Sequence, residues 1–177
     1  MRTKMGLLLA LGAGLMVGAP TAGSAGTKPP VSLEERVRHE LVMLPYYNVF
    51  DNLSFRVDNG AVILFGQVTQ PVVKDDAERS VKHLEGVSAV KNEIEVLPLS
   101  DFDNQIRWRT YFAIYGFGPL QHYSLGTQPP IRIIVKNGNV TLQGNVLNEM
   151  DRNIANVRAN SVPGVFSVTN ELKVNHA

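Results

Sequence analysis

A duplication constrains this chain more than any other feature. The string Val57-Asp58-Asn59-Gly60-Ala61-Val62-Ile63-Leu64-Phe65-Gly66-Gln67-Val68 returns 78 residues later as Val135-Lys136-Asn137-Gly138-Asn139-Val140-Thr141-Leu142-Gln143-Gly144-Asn145-Val146. Gly86-Val87, Val90, Asn92-Glu93 and Val96 return as Gly164-Val165, Val168, Asn170-Glu171 and Val174. Residues 55–96 lie on 133–174 without a gap, and 14 of the 42 pairs are identical. Nearly all the identities are Val, Leu, Gly, Ala and the turn Asn, residue types that set a fold rather than perform chemistry. Two copies of one small module are expected, and an enzyme is not.

The module can be read element by element. Ser32, with Glu35 three residues on, forms a capping box for a helix beginning at Leu33, and Val37, Leu41 and Leu44 mark its buried stripe. Leu53, Phe55 and Val57 alternate with polar residues as in a half-buried strand. Asn59-Gly60 tolerates the positive φ of a type I′ turn, so a hairpin follows. Pro71 suits the first turn of a second helix, where Val73, Ala77, Val81 and Leu84 recur at helical spacing before Gly86. A third strand runs from Val90 to Val96.

The predicted fold class is therefore α+β. Two tandem α-β-β-α-β modules each form a three-stranded mixed sheet with both helices on one face. Residues 32–97 make the first module, 98–101 a linker and 102–175 the second, with a Gly- and Pro-rich loop expansion at 116–130. On the back of the first hairpin, Ile63 and Phe65 stand where the second has Thr141 and Gln143. Cover for that apolar pair by the other module is expected.

Arg2 and Lys4, then an apolar stretch from Met5 to Ala19, then small residues to Ala25 have the layout of a secretory signal. Residues 1–25 are read as a signal peptide cleaved near Ala25, and 26–31 as a leader. A periplasmic location follows as an expectation. No cysteine is present, which excludes disulfides, thiol catalysis and a lipid-modified N-terminal Cys. Four scattered histidines give no pairing for a metal, so neither metal nor cofactor is expected. Charge is unevenly placed. Residues 31–103 hold 7 basic and 13 acidic side chains, whereas 104–148 hold Arg107, Arg109, Arg132 and Lys136 and no acid. Such a balance gives no global pull toward nucleic acid.

The pattern Val-x-Asn-Gly-x-Val-x-Leu-x-Gly-x-Val, followed by a helix carrying Ala77 or Ala155 and then Gly-Val-x-x-Val-x-Asn-Glu, resembles the BON domain. The resemblance covers about residues 32–97 and 101–175. It implies an α-β-β-α-β module, often in tandem behind a signal sequence and without catalytic machinery. It further implies binding to phospholipid or membrane surfaces, with roles in envelope integrity and osmotic stress tolerance. The family offers no catalytic residue to carry over.

The functional candidate lies within 102–123. These 22 residues hold seven of the chain's thirteen aromatics, with Arg107 and Arg109. Placing the second copy's first helix 71 residues after the first aligns Trp108, Phe112 and Tyr115 with the core positions Val37, Leu41 and Leu44. Tyr111 and Ile114 then align with Glu40 and Met43 and face outward, and Phe117 stands between two glycines. Aromatic and apolar side chains ringed by cations suit an anionic bilayer interface. The expected docking set is Arg107, Arg109, Arg132 and Lys136 for attraction, with Tyr111, Ile114 and Phe117 for shallow insertion. Trp108 is included, though its alignment also fits the core. Binding would be peripheral rather than transmembrane. The alternative is a periplasmic adaptor that uses the same patch on another envelope protein, without lipid contact.

Overall fold

A computed structural model describes residues 31–126 and 128–175. The predicted signal sequence, and the leader up to Pro30, lie outside the described residues. The first module runs α1 (Leu33–Val42), β1 (Asn52–Asp58), β2 (Ala61–Val68), α2 (Pro71–Lys82) and β3 (Ala89–Val96). The second runs α3 (Asp101–Tyr115), a 3₁₀ segment (Gly118–Ser124), β4 (Ile131–Lys136), β5 (Asn139–Val146), α4 (Glu149–Asn160) and β6 (Ser167–Val174). Each sheet pairs its hairpin antiparallel and adds the third strand parallel, in the orders β1-β2-β3 and β4-β5-β6. Both helices of each module pack on one sheet face. In the first, Val37 and Leu41 of α1 and Val73, Ala77 and Val81 of α2 share a core with Val62, Leu64, Val68 and Ile94.

The repeated residues explain the repeated shape. Asn59 and Gly60 have φ of 48° and 82°, and Asn137 and Gly138 have 52° and 77°, the left-handed pair a tight hairpin requires. Gly66 and Gly144 sit at φ 116° and 121°, where a Cβ would collide with the carbonyl oxygens of Asn52 and Pro130. The neighbouring strand thus crosses where no side chain can stand. The Asn of the Asn-Glu pair is a staple between strand and helix. Asn92 Nδ2 donates to the Lys74 carbonyl on α2 at 3.0 Å, while its Oδ1 accepts from Ile94 N at 3.2 Å. Asn170 does the same with Arg152 O and Leu172 N.

The second module departs from the first at α3 and after it. The buried stripe of α3 is Ile106, Thr110 and Ile114, flanked by Asp103, Arg107 and Tyr115. The expected stripe of Trp108, Phe112 and Tyr115 is correct only at Tyr115. The helix lies two residues out of the anticipated register, and two residues turn a helix by about 200°. Ile114, expected outside, is fully buried, while Trp108 and Phe112 are turned out to solvent. The loop expansion is anchored rather than loose. Leu120 is fully buried; Tyr115 donates its hydroxyl to Ile131 O and accepts from Ile131 N. Tyr123 donates to Asp151 on α4 at 2.7 Å and accepts from Leu147 N.

The two modules meet through polar and apolar contacts. Asn52 donates to Gln143 at 2.7 Å, Lys136 pairs with Glu95, and Phe50 packs edge-on against Trp108. The back face of the first sheet is only partly covered. Ile63 is half-buried, and Phe65 retains 37% of its surface in water. Cover reaches the row Asn52-Gln67-Glu95 but not the whole apolar pair, which corrects the expectation for Phe65.

Candidate functional site

The outward face of α3 gathers the exposed aromatics. Ser100 caps the helix by accepting from Asp103 N. With Ile106, Thr110 and Ile114 fixed inward, residues 108 and 112 must point nearly opposite. Trp108 is 46% exposed and Phe112 64%. Their rings stack with centroids 5.9 Å apart, and Tyr111 meets both edge-on at 5.8 and 5.7 Å. Phe50, buried beneath, supports Trp108 at 4.8 Å and Tyr111 at 6.2 Å. The aromatic face is therefore braced from the first module.

The anticipated cations separate. Arg109 is exposed beside the rings, bonded to Gln105 on its own helix and to Pro163 O. Arg107 is 3% exposed and donates to Val135 O at 2.9 Å. Burial pushes its guanidinium below the usual arginine range, opposed by the charges of Asp103 and Asp51. Asp103 in turn accepts from Asn137 N and Gly138 N, so it caps the hairpin turn rather than the helix. Arg107 is therefore part of the scaffold and leaves the docking set. Arg132 is half-buried at the module junction, donating to Gln128 and standing near Tyr47. Lys136 is neutralised by Glu95. Neither belongs to the α3 face. Phe117 is half-buried under the guanidinium of Arg158, 4.9 Å from its ring centroid, and Ile114 lies in the core.

From the anticipated set the structure brings Trp108 and Arg109 together with Tyr111, which is half-buried against the core rather than turned outward; it sets Phe117 apart under Arg158 and withdraws Arg107, Ile114, Arg132 and Lys136. It adds Phe112, which alignment with Leu41 had assigned to the core. The signal that could have found it was present, since Ile106, Thr110 and Ile114 sit at four-residue spacing and need only a two-residue shift of the helix alignment.

A cleft of 620 Å³ opens beside the aromatic face, between the Asn48–Phe50 turn and Trp108, with Asn104 and Arg107 in its wall. Among the described residues no helix is long and apolar enough to cross a membrane, and no three His, Asp or Glu side chains gather as metal ligands.

Comparison with known proteins agrees with this architecture. The BON domain pattern matches residues 31–98 and again 124–176. The outer membrane lipoprotein DolP of Haemophilus influenzae is 31% identical over 120 residues, which are 65% of this chain and 58% of that protein. The match thus spans less than two thirds of that relative. Among solved structures, the C-terminal domain of CdsD, a structural protein of the type III secretion system of Chlamydia trachomatis, superposes on 82% of this chain. The superposition takes in 98% of the CdsD domain, with 13% identity and a TM-score of 0.30, too slight a likeness to bear on fold or function. Two matches to one domain pattern cover more than half of the chain, each on an α-β-β-α-β stretch or its sheet and last helix, and the chain belongs to the BON-domain family.

Proposed function

We propose that this chain is a non-catalytic, periplasmic protein of the bacterial envelope that docks reversibly on anionic phospholipid surfaces through the outward face of α3. One observation carries the reading: Trp108 and Phe112 are stacked, exposed and braced by Phe50, with Arg109 beside them. Folded proteins seldom leave two large adjacent rings in water without a use for them. Tyr and Trp favour the headgroup level of a bilayer, and a nearby cation adds about 1 kcal/mol of attraction. That the Haemophilus influenzae relative is an outer membrane lipoprotein is in keeping with this, as is the signal-like N-terminus. Support of envelope integrity under osmotic stress is the matching physiological role.

Co-sedimentation with vesicles tests the reading. Recovery should be higher on anionic than on neutral vesicles, fall with salt and drop in Arg109→Glu. Trp108 is the single tryptophan, so its emission should shift to the blue on docking. Equal recovery with neutral and anionic vesicles, or none with either, would return the patch to the adaptor reading, in which another envelope protein covers it.

A further inference from the structure

The outer side of α4 carries an apolar stripe that the first copy lacks. Met150 and Val157 are exposed to 70% and 64%, and Ile154 is half-buried between them. Seventy-eight residues earlier, α2 has Val72, Asp76 and Arg79, and the last two form an ion pair at 2.8 Å. One duplicate thus solvates this position with a salt bridge, and the other fills it with Ile and Val. The loop expansion, also confined to the second copy, adds Phe117 and Pro119 to the same shallow groove of 730 Å³.

We infer that this stripe is a second bilayer-contacting ridge, so that the docking face spans α3 and α4 together and the groove between α4 and the Phe117–Pro119 segment takes lipid acyl chain. The inference rests on the lipid-docking reading above and enlarges its site. Three observations support it. First, both helices lie on one face of the sheet, so outward residues on each point the same way. Ala155 and Ala159 face the core, and Met150, Ile154 and Val157 are turned from them by about 100° to 180° around the helix. Second, cations join the ridges. Arg158 donates to Ala113 O on α3 at 2.9 Å while lying over Phe117, and Arg109 reaches Pro163 O beyond the end of α4. Third, the groove is lined by no carboxylate, and its one charged member is Arg158. Apolar floor and cationic rim are complementary to acyl chain and lipid phosphate. A stable protein dimer needs about 1,200 Å² or more of fitted surface, which a shallow groove with five apolar side chains does not offer. A fluid bilayer needs no such fit.

The test transplants the first copy's solution. Ile154→Asp with Val157→Arg, made in the full chain, restores an ion pair and leaves net charge unchanged, so attraction to an anionic surface is preserved. On vesicles of equal parts phosphatidylcholine and phosphatidylglycerol, the partition coefficient should fall at least about tenfold, while Trp108 emission at saturating lipid still shifts to the blue. A partition equal to wild type overturns the second ridge and leaves docking by α3 intact. Failure of the wild type itself to bind overturns both. Because the chain has no cysteine, Val157→Cys can carry one environment-sensitive label without touching the core, which guards against a misfolded double variant. Its emission should shift to the blue on the same vesicles, and that of labelled Glu93→Cys, on the back of the first sheet, should not. An unshifted label at 157 beside a shifted Trp108 sinks the inference.

Discussion

Phe112→Ser is the perturbation that bears most directly on the aromatic face. An aromatic side chain carries about 200 Å² of surface. With Phe112 64% exposed, about 130 Å² is available to enter a bilayer. At about 25 cal/mol per Å², complete transfer is worth about 3 kcal/mol, and half immersion at headgroup depth about 1.5 kcal/mol. The variant should therefore partition onto anionic vesicles about tenfold more weakly than wild type. Trp108 remains as the reporter, so a lipid titration of its emission measures both proteins with one probe. The fold should lose little, because Phe112 buries no core surface and surrenders only its ring contacts with Trp108 and Tyr111, about 1 kcal/mol together. An unchanged partition coefficient in a cooperatively folded Phe112→Ser protein would refute insertion by this face.

Other expectations concern the scaffold. Arg107→Met removes the cation set near Asp51 and Asp103, and urea unfolding should show a loss of about 3 kcal/mol; vesicle binding by the folded fraction should not change, in contrast with Arg109→Glu. Gly144→Ala forces a Cβ against the Pro130 carbonyl at φ 121°, and a stability loss of about 2–4 kcal/mol is expected from the same assay. Tyr115 is held neutral by burial, which pushes its hydroxyl above the ordinary tyrosine range of about 10. Its contribution to stability is thus full below pH of about 10, where the unfolded side chain is also neutral, and is lost as pH climbs toward the folded value. Unfolding midpoints should fall with rising alkalinity, and less steeply in Tyr115→Phe; parallel slopes in the two proteins would contradict the burial effect.

How much of this was legible depended on how local the cause was. The hairpins, the strand glycines and the crossover helices were readable because each rests on neighbours in sequence: Asn59-Gly60 makes its turn alone, and Ala77 and Val81 declare a helix face. Gly66 and Asn92 were recognisable as repeated, but not their purpose, since the Asn52 carbonyl and the Lys74 carbonyl that give them meaning lie on other elements. The orientation of α3 differs by two residues because the 71-residue offset lays Arg107 and Arg109 on Arg36 and Arg38, whereas the apolar spacing of Ile106, Thr110 and Ile114 sets the buried face. The hidden fate of Lys136 is of a third kind. Its partner Glu95 lies 41 residues away in the other module, and module packing leaves no periodic trace in either strand.

The burial of Arg107 and the pairing of Lys136 have a measurable consequence for how firmly the chain holds an anionic surface. Four free cations in the second module would contribute about 4 kcal/mol at low salt. Arg107 is buried, Lys136 is paired and Arg132 stands at the module junction, while Arg109 and Arg158 remain on the side of the aromatic rings. Arg152 is already engaged with Glu149 at 3.3 Å. Two cations give about 2 kcal/mol, which screening should abolish once the Debye length drops to about 3 Å near 1 M salt. Raising salt should thus weaken partitioning by about thirtyfold, against several hundredfold for four cations. The apolar remainder, carried by Trp108 and Phe112, should persist at high salt. A several-hundredfold loss would mean that Arg107 or Lys136 is released on docking, and would require the modules to separate at the Glu95 contact as they bind.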